Sequence, residues 1–453
     1  MLSRDGAEQL MLDCYHAGLR SVEPGTAVRR YLHRDGRSLV LDGPRQRWPV
    51  EGRVSMAAVG KAAVEMAVAA EHTCGDLVHD GVVITKDGHG HGQPLQVCQL
   101  FEAGHPVPDV RGERATQEIL HRALGLGRND VLLALISGGG SALLEAPRPP
   151  VTLDDLRRTT DLLLRAGAPI QDLNAVRIPL SRVKGGGLRR AAAPAMTITL
   201  ILSDVLGNDP RVIASGPTVD GEREDVAARR GRDVLTRLGL AEQVPSAVRQ
   251  VLQRFEGGDA GWPGDDCEED GAPPAAPPWT RIIGDNQTMV TAATRVASER
   301  GVAGRVIWSA KEGEASELGR AWVAVCRDAP QDVDLLLGGG EATVRVRGDG
   351  VGGRNTEFAL AAALELARTG EEGWAVASLA TDGQDGPTGV AGSIADGETV
   401  ARARDAGIDP ERALRENDSL RVFEAAGGLV QPGPTGTNVN DLYLAVRVAR
   451  GSR

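Results

Sequence analysis

Six consecutive apolar residues, VLLALI from Val131 to Ile136, offer no polar face to water. Such a run is a strand covered on both sides, the condition of a parallel strand held between two layers of helices. It empties into Ser137-Gly138-Gly139-Gly140-Ser141-Ala142, and the same layout recurs along the chain. Arg53 to Val59 reads as a strand entering Gly60-Lys61, followed by an apolar helix over Ala62 to Ala70. Val82 to Thr85, Val97 to Phe101 and Thr197 to Leu202 read as further strands, the last delivering Ser203-Asp204 onto a loop. Strands alternating with helices predict an α/β fold whose ligand lies at the carboxyl ends of the strands.

Those strand ends carry the candidate chemistry. The loop Ser137, Gly138, Gly139, Gly140, Ser141 exposes successive amides and two hydroxyls to an anion. Strand, Gly60-Lys61 and helix aim amides and one ammonium at a phosphate, without the spacing of a Walker A loop. Of 51 basic residues only Lys61, Lys86, Lys184 and Lys311 are lysines. A lysine kept against that bias marks a place for a compact ammonium, and Lys61 and Lys184 both lie in glycine-containing turns. Asp204, directly after an apolar strand, is a candidate magnesium ligand or hydroxyl activator, with Asp209 nearby. His89 and His91 share a glycine loop with no third metal ligand, and His105 lies in a proline-fixed turn where a structural role is favoured.

Residues 5 to 20 read as a helix ending near Pro24, and 152 to 166 as one capped by Thr152. Glu256 to Trp279 is aperiodic, acidic and proline-rich, and reads as a linker (256–280) between an N-terminal domain, 1–255, and a C-terminal domain, 281–453. In the second half, Asn286 follows a short strand and is a weaker candidate for cofactor contact. Leu335 to Glu365 reads as strand, glycine loop, strand, glycine loop and helix. Gly338, Gly339 and Gly340 with Glu341 form the first of these loops and are expected to cradle an anion. Gly348, Gly350 and Gly353 fit the G-x-G-x-x-G spacing, but Arg354 and Asn355 open the helix and no acid closes a strand about 20 residues on. The loop is therefore expected to hold a transferred phosphate beside Arg354 rather than a dinucleotide. Asp382 and Asp385 share a Gly-Pro loop after the strand Trp374 to Ala380 and are candidates for metal or substrate contact.

At 453 residues two domains are expected. A net charge of -11 and a pI near 5.4 count against nucleic acid and acidic membranes as partners. The 3% aromatic content counts against recognition by stacking. No apolar stretch nears ~18 residues, and the polar start lacks the layout of a leader, so a soluble cytoplasmic protein is expected. Five scattered cysteines with no C-x-x-C pair indicate neither disulfides nor a thiolate zinc site.

Eleven stretches run in order over nearly the whole chain: VGKAA (59–63), AGHPVPD (103–109), SGGGSALLEAP (137–147), LSRVKGG (180–186), SDVLGNDPRVIASGPT (203–218), GDN (284–286), GGGEATV (338–344), GGRNTEFALA (352–361), TDGQDGPT (381–388), NDS (417–419) and GPTGTNVNDLY (433–443). Together they resemble the glycerate 2-kinases of the MOFRL type, a family also labelled as hydroxypyruvate reductases. The resemblance implies a Rossmann-like three-layer N-terminal domain and a smaller C-terminal α/β domain holding the MOFRL region at about 334–447, with the active site in the cleft between them. It implies ATP and Mg2+ as cofactors, D-glycerate as the small-molecule substrate phosphorylated on its 2-hydroxyl, and catalytic roles for Lys61 and Arg354. A homo-oligomer stays open. The chain departs from the family at Ile178-Pro179, where a basic residue and a histidine are common, and at Gly187, often an arginine. A kinase for another small hydroxy acid and an NAD(P)H-dependent hydroxypyruvate reductase are the alternatives.

Overall fold

A computed structural model describes residues 2–42, 46–90, 94–254, 276–371 and 373–449. His91 and most of the expected linker lie outside the described residues. The chain divides into two compact units, Pro24–Ile283 and Met1–Glu23 with Gly284–Arg453. The expected boundaries placed residues 1–23 in the first domain. The helix Arg4–Ser21 instead buries Leu10, Met11, Cys14 and Tyr15, packing on the helix Asn286–Glu299. Gly18 lets the two close up: a Cβ there would lie 2.7 Å from Met289 Cγ.

Unit Pro24–Ile283 contains a small antiparallel meander, β1 (Leu32–Asp35), β2 (Ser38–Leu41) and β3 (Arg47–Pro49). Its main sheet is built from β4 (Val54–Val59), β5 (Val78–Lys86), β6 (Gln99–Ala103), β7 (Val131–Ile136), β8 (Met196–Leu202) and β9 (Trp279–Gly284) in the order β6-β5-β4-β7-β8-β9. β4, β7 and β8 are buried at every position, β7 as a continuous apolar run and the other two with Ser55, Thr197 and Thr199 among their buried residues, and β4 through β8 pair in parallel. On one face Ala57, Val59, Val82, Ile84 and Leu132 pack with Ala115, Ile119, Leu120 and Ala123 of the helix Val110–Leu124. The other face carries the helix Ala63–Cys74. Relabelled from β4, the strand order is 3-2-1-4-5-6, the Rossmann order, and its direction reverses between β4 and β7. The helix expected from Thr152 runs over Leu153–Arg165, with a capping box between Thr152 and Asp155.

The other unit holds a mixed sheet of β10 (Gly304–Glu314), β11 (Leu335–Thr343), β12 (Trp374–Ala380), β13 (Gly392–Asp396), β14 (Leu429–Val430) and β15 (Asp441–Arg447) in the order β10-β11-β15-β12-β13-β14. Only β10 and β11 pair in parallel. The scarce aromatics gather here. Phe358 and Tyr443 stack at 4.8 Å, and Trp308 meets Trp322 at 4.7 Å. The sequence suggested two strands around Gly338–Gly340; the structure has one. Gly338 faces Tyr443, and a Cβ there would lie 3.3 Å from the Trp322 ring. At Gly340 a Cβ would sit 2.0 Å from the Lys311 carbonyl oxygen. The glycines let neighbouring backbone and rings close on a central strand, so they do not form the expected anion cradle.

Candidate active site

In unit Pro24–Ile283 the loops after β4, β7 and β8 lie side by side, because their strands are neighbours in parallel register. The first two flank the point where strand order reverses, where open α/β sheets leave a crevice. Gly60, at φ +128°, turns the chain, and the Lys61 amide donates to the Gly138 carbonyl at 2.9 Å. Ser137 is buried, and its hydroxyl accepts from the Ala62 amide at 3.0 Å. That serine therefore ties two loops together instead of facing a ligand. Gly139 adopts the left-handed conformation at φ +85° and precedes the short helix Gly140–Leu143. Among the described residues, the amides of Gly138 and Gly139 have no acceptor. They are the donors left for an anion.

Asp204 closes this cluster. A Cβ on Gly138 would lie 2.1 Å from its Oδ2, so the glycine is what lets the carboxylate reach the loop. Burial pushes the Asp204 carboxyl above the usual carboxylate range, and Lys61 opposes that shift. His105 stands over Gly139, whose added Cβ would lie 3.0 Å from the ring. Burial, with Lys61, Lys86 and His89 around it, depresses the His105 imidazole to about 4, so the ring is neutral at physiological pH. Asp209 pairs with Arg211 at 2.9 Å and shapes its own turn.

Lys184 departs from expectation. Its ammonium is fully enclosed, donating to the carbonyls of Ser141 at 2.7 Å and Leu144 at 3.1 Å, 3.3 Å from Glu145 Oε2. Burial lowers it to about 8 against the pull of Glu145. It clamps the loop from beneath and has no face toward a nucleotide. Arg177 donates to the same Ser141 carbonyl at 2.9 Å. The Ser141 hydroxyl meets that of Ser215 at 2.8 Å, and Ser215 donates to Asn174 at 3.0 Å. Ala214, Ser215 and Gly216 all have positive φ, 50°, 61° and 62°. Two non-glycine residues in that region store strain beside the loop. At the departure Gly187, a Cβ would lie 2.2 Å from the Arg182 carbonyl oxygen, so this backbone excludes any side chain there.

In the other unit Arg354 opens the helix Arg354–Thr369. Its Nε and Nη2 bind the carboxylate of Asp441 at 2.8 and 2.9 Å, and Nη1 lies 3.4 Å from Glu341. Burial opposes its charge, but Asp441, then Glu341 and Asp382, hold the guanidinium above its ordinary range. The side chain stays 28% exposed, which leaves its outer edge for a ligand. Asp441 is fully buried and also accepts from Asn355 Nδ2 at 3.1 Å. The sequence reading missed this partner; its signal was a carboxylate opening a buried strand. Asn286 donates to the carbonyls of Val439 at 2.8 Å and Asp441 at 3.0 Å, its oxygen packed where a Cβ of Gly339 would be. It ties the first turn of its helix to the start of β15, so the amide is already spent on carbonyls and is not free for a cofactor.

Asp385 is not a metal ligand here. It is 1% exposed, and both oxygens accept from the first turn of the helix: the Asn355 amide at 2.8 Å, the Thr356 amide at 2.8 Å and the Thr356 hydroxyl at 2.8 Å. Burial raises the carboxyl, and these donors offset part of the shift. The helix terminus expected to hold a phosphate is thus filled by the protein's own carboxylate. The glycines of the G-x-G-x-x-G spacing have another use. A Cβ on Gly348 or Gly350 would lie 2.6 or 2.5 Å from the turn at Glu416–Asp418. Asp382 keeps one oxygen on the Gln384 amide at 3.0 Å and remains partly exposed. Among the described residues no group of three His, Cys, Asp or Glu side chains is arranged to hold a metal ion, and no helix is long and apolar enough to cross a membrane.

Comparison with known proteins follows the same division. Residues 10–253 match the model of a domain of unknown function, DUF4147, and residues 334–441 match the MOFRL family. A D-glycerate 2-kinase of Thermotoga maritima is 37% identical over 99% of this chain and 100% of its own length. A glycerate 2-kinase of Pyrococcus horikoshii is 35% identical over 96% of both chains. The crystal structure of a glycerate kinase from Thermotoga maritima superposes with a TM-score of 0.83 at 35% identity, covering 97% of this chain and 99% of that one. The chain belongs to the glycerate 2-kinase family built from a DUF4147 region and a MOFRL region.

Proposed function

We propose that this chain transfers the γ-phosphoryl group of ATP to the 2-hydroxyl of D-glycerate, giving 2-phosphoglycerate and ADP. The observation that carries the reading is the set Lys61, the unsatisfied amides of Gly138 and Gly139, and the raised carboxyl of Asp204, grouped at the strand-order reversal of a Rossmann sheet. Full-length kinase relatives support it. Phosphoryl transfer asks the protein for positioning and for neutralisation of the equatorial oxygens. Lys61 and the two amides supply positive charge and donors to the phosphates. The substrate oxygen bonds to the γ-phosphorus, the bond to the β,γ-bridging oxygen breaks, and the hydroxyl proton passes to Asp204. The desolvation that raises this carboxyl also makes it a better base.

Magnesium fits as an ion carried by the triphosphate. It needs only one or two protein carboxylates, and Asp204 would hold it in the alternative in which this carboxylate does not take the hydroxyl proton. When bound it neutralises charge on the transferred group. The neutral ring of His105 offers a hydrogen bond to a substrate hydroxyl or carboxylate without adding charge. Phosphorus NMR of the protein with ATP, magnesium and D-glycerate tests the reading. A 2-phosphoglycerate resonance is expected. A 3-phosphoglycerate product overturns the regiochemistry, and unchanged ATP with folded protein overturns the substrate.

A further inference from the structure

A recess of about 70 Å3 in the unit containing the MOFRL region has no part in the chemistry above. Its lining comes from five segments: the end of β10, the helix Ala315–Arg327, the loop after β11, the helix Arg354–Thr369 and the turn at 414–417. Four arginines, Arg320, Arg345, Arg347 and Arg415, form the rim. All are exposed, and none makes an ion pair within 4.0 Å among the described residues. Arg320 donates only to the Ser316 carbonyl, at 3.3 Å. In a chain of net charge -11, four unpaired guanidiniums around one opening are a local positive field.

Beneath the rim sits Glu357, 3% exposed. Its Oε2 accepts from Asn417 Nδ2 at 2.9 Å, and Oε1 has no donor among the described residues. Asn417 is itself fixed, at φ +55°, by taking the amides of Arg347 and Gly348 at 2.7 and 3.2 Å. Glu314, the second acid of the lining, accepts from the Arg345 amide at 3.2 Å. The recess therefore combines guanidinium donors with one acceptor oxygen of a largely buried carboxylate that has no protein donor and stays open to the recess. A carboxylate repels a fully ionised anion unless that anion brings a proton to share.

We propose that this recess binds a protonated phosphate, as inorganic hydrogen phosphate or as the monoanion of a phosphate monoester. The rim arginines take the ionised oxygens, with the fork geometry that suits them to phosphate, and the phosphate hydroxyl donates to Glu357 Oε1. Sulfate has the same shape and no proton near neutrality, so the Glu357 acceptor rejects it. The volume admits one such group. The inference does not depend on the kinase reading, since none of the residues proposed for phosphoryl transfer lines the recess.

The test is isothermal titration of the full chain with sodium phosphate and with sodium sulfate at pH 7 and matched ionic strength. Wild type is expected to show a phosphate site preferred over sulfate by about tenfold or more, as a site built around a ligand proton rejects the analogue lacking it. The exposed pair Arg320→Ala with Arg347→Ala should remove that site while circular dichroism stays unchanged. Glu357→Gln turns the acceptor into a group that also donates, so phosphate and sulfate should bind within about threefold of each other. Hydrogen exchange at 345–351, slowed by phosphate in wild type and not in the arginine pair, locates the site and separates inorganic phosphate from a monoester added in its place. The proposal is overturned if the site that the arginine pair removes binds sulfate as well as phosphate in wild type, or if the phosphate isotherms of wild type and the arginine pair superimpose. It is equally overturned if folded Glu357→Gln keeps the full discrimination.

Discussion

The close approach of Gly138 to Asp204 gives the candidate site a test that leaves every polar side chain in place. In Gly138→Ala the new methyl would lie 2.1 Å from Oδ2 and 2.7 Å from Cγ of Asp204, whereas ordinary contact begins at 3.4 Å. The carboxylate must therefore retreat by about 1.3 Å, the difference between those two distances. A misplacement of about 1 Å near a reacting group costs on the order of a hundredfold in rate, or about 2.7 kcal/mol in activation free energy. Asp204 is partly exposed and can swing toward solvent, so the stability cost should fall near the lower end of overpacking, about 1 kcal/mol. The assay is steady-state turnover with ATP and glycerate beside urea unfolding of the same preparations. Asp204→Asn and the double variant complete a cycle. If the methyl acts by displacing Asp204, the double variant loses no more activity than Asp204→Asn alone. Turnover of Gly138→Ala within about threefold of wild type, or losses that multiply in the double variant, would refute a role for this carboxylate in the reaction.

Three further outcomes are expected. Lys61→Met should abolish measurable turnover while leaving the urea midpoint unchanged, because that ammonium is not enclosed. Arg354→Met should also abolish turnover, but it strands the buried Asp441 carboxylate, so a loss of about 3–5 kcal/mol in unfolding free energy accompanies it; adding Asp441→Asn should restore part of the stability and none of the activity. His105 gives a pH signature. Its folded value near 4 lies below the ordinary 6.5, so the unfolded state binds the proton more readily. The stability contributed by the neutral ring is complete above about pH 6.5 and is lost as pH falls toward 4. In His105→Gln that limb of the stability profile should flatten, as followed by urea unfolding at stepped pH.

Loops around the candidate site show how reliably local pattern reads backbone and how poorly it reads side-chain partners. Lys61 and Asp204 are each introduced by a predominantly apolar strand, so their place at the carboxyl edge was legible. Lys184 carried the same local marks, a glycine turn and a rare lysine, yet it points inward. What turns it is Glu145 with two carbonyls about 40 residues away in sequence. Asp385 shared a Gly-Pro loop with Asp382, and nothing local distinguished them. The helix terminus 30 residues upstream consumes one and leaves the other. Gly338–Gly340 looked like a loop because glycine is common in loops. They are strand residues because Trp322, Asn286 and the Lys311 carbonyl press on them from other elements.

The sequence by itself determined the α/β class, the order of strands along the chain, and the strand ends that present Lys61, Ser137–Ser141 and Asp204. Each of those follows from burial periodicity and turn chemistry within about ten residues. Tertiary structure alone decided which charges are spent inside the protein, Lys184 on Glu145, Asp385 on a helix terminus and Asp441 on Arg354, and which amides stay open at Gly138 and Gly139. A buried polar group must find a partner, and the fold brings that partner from a distant part of the chain.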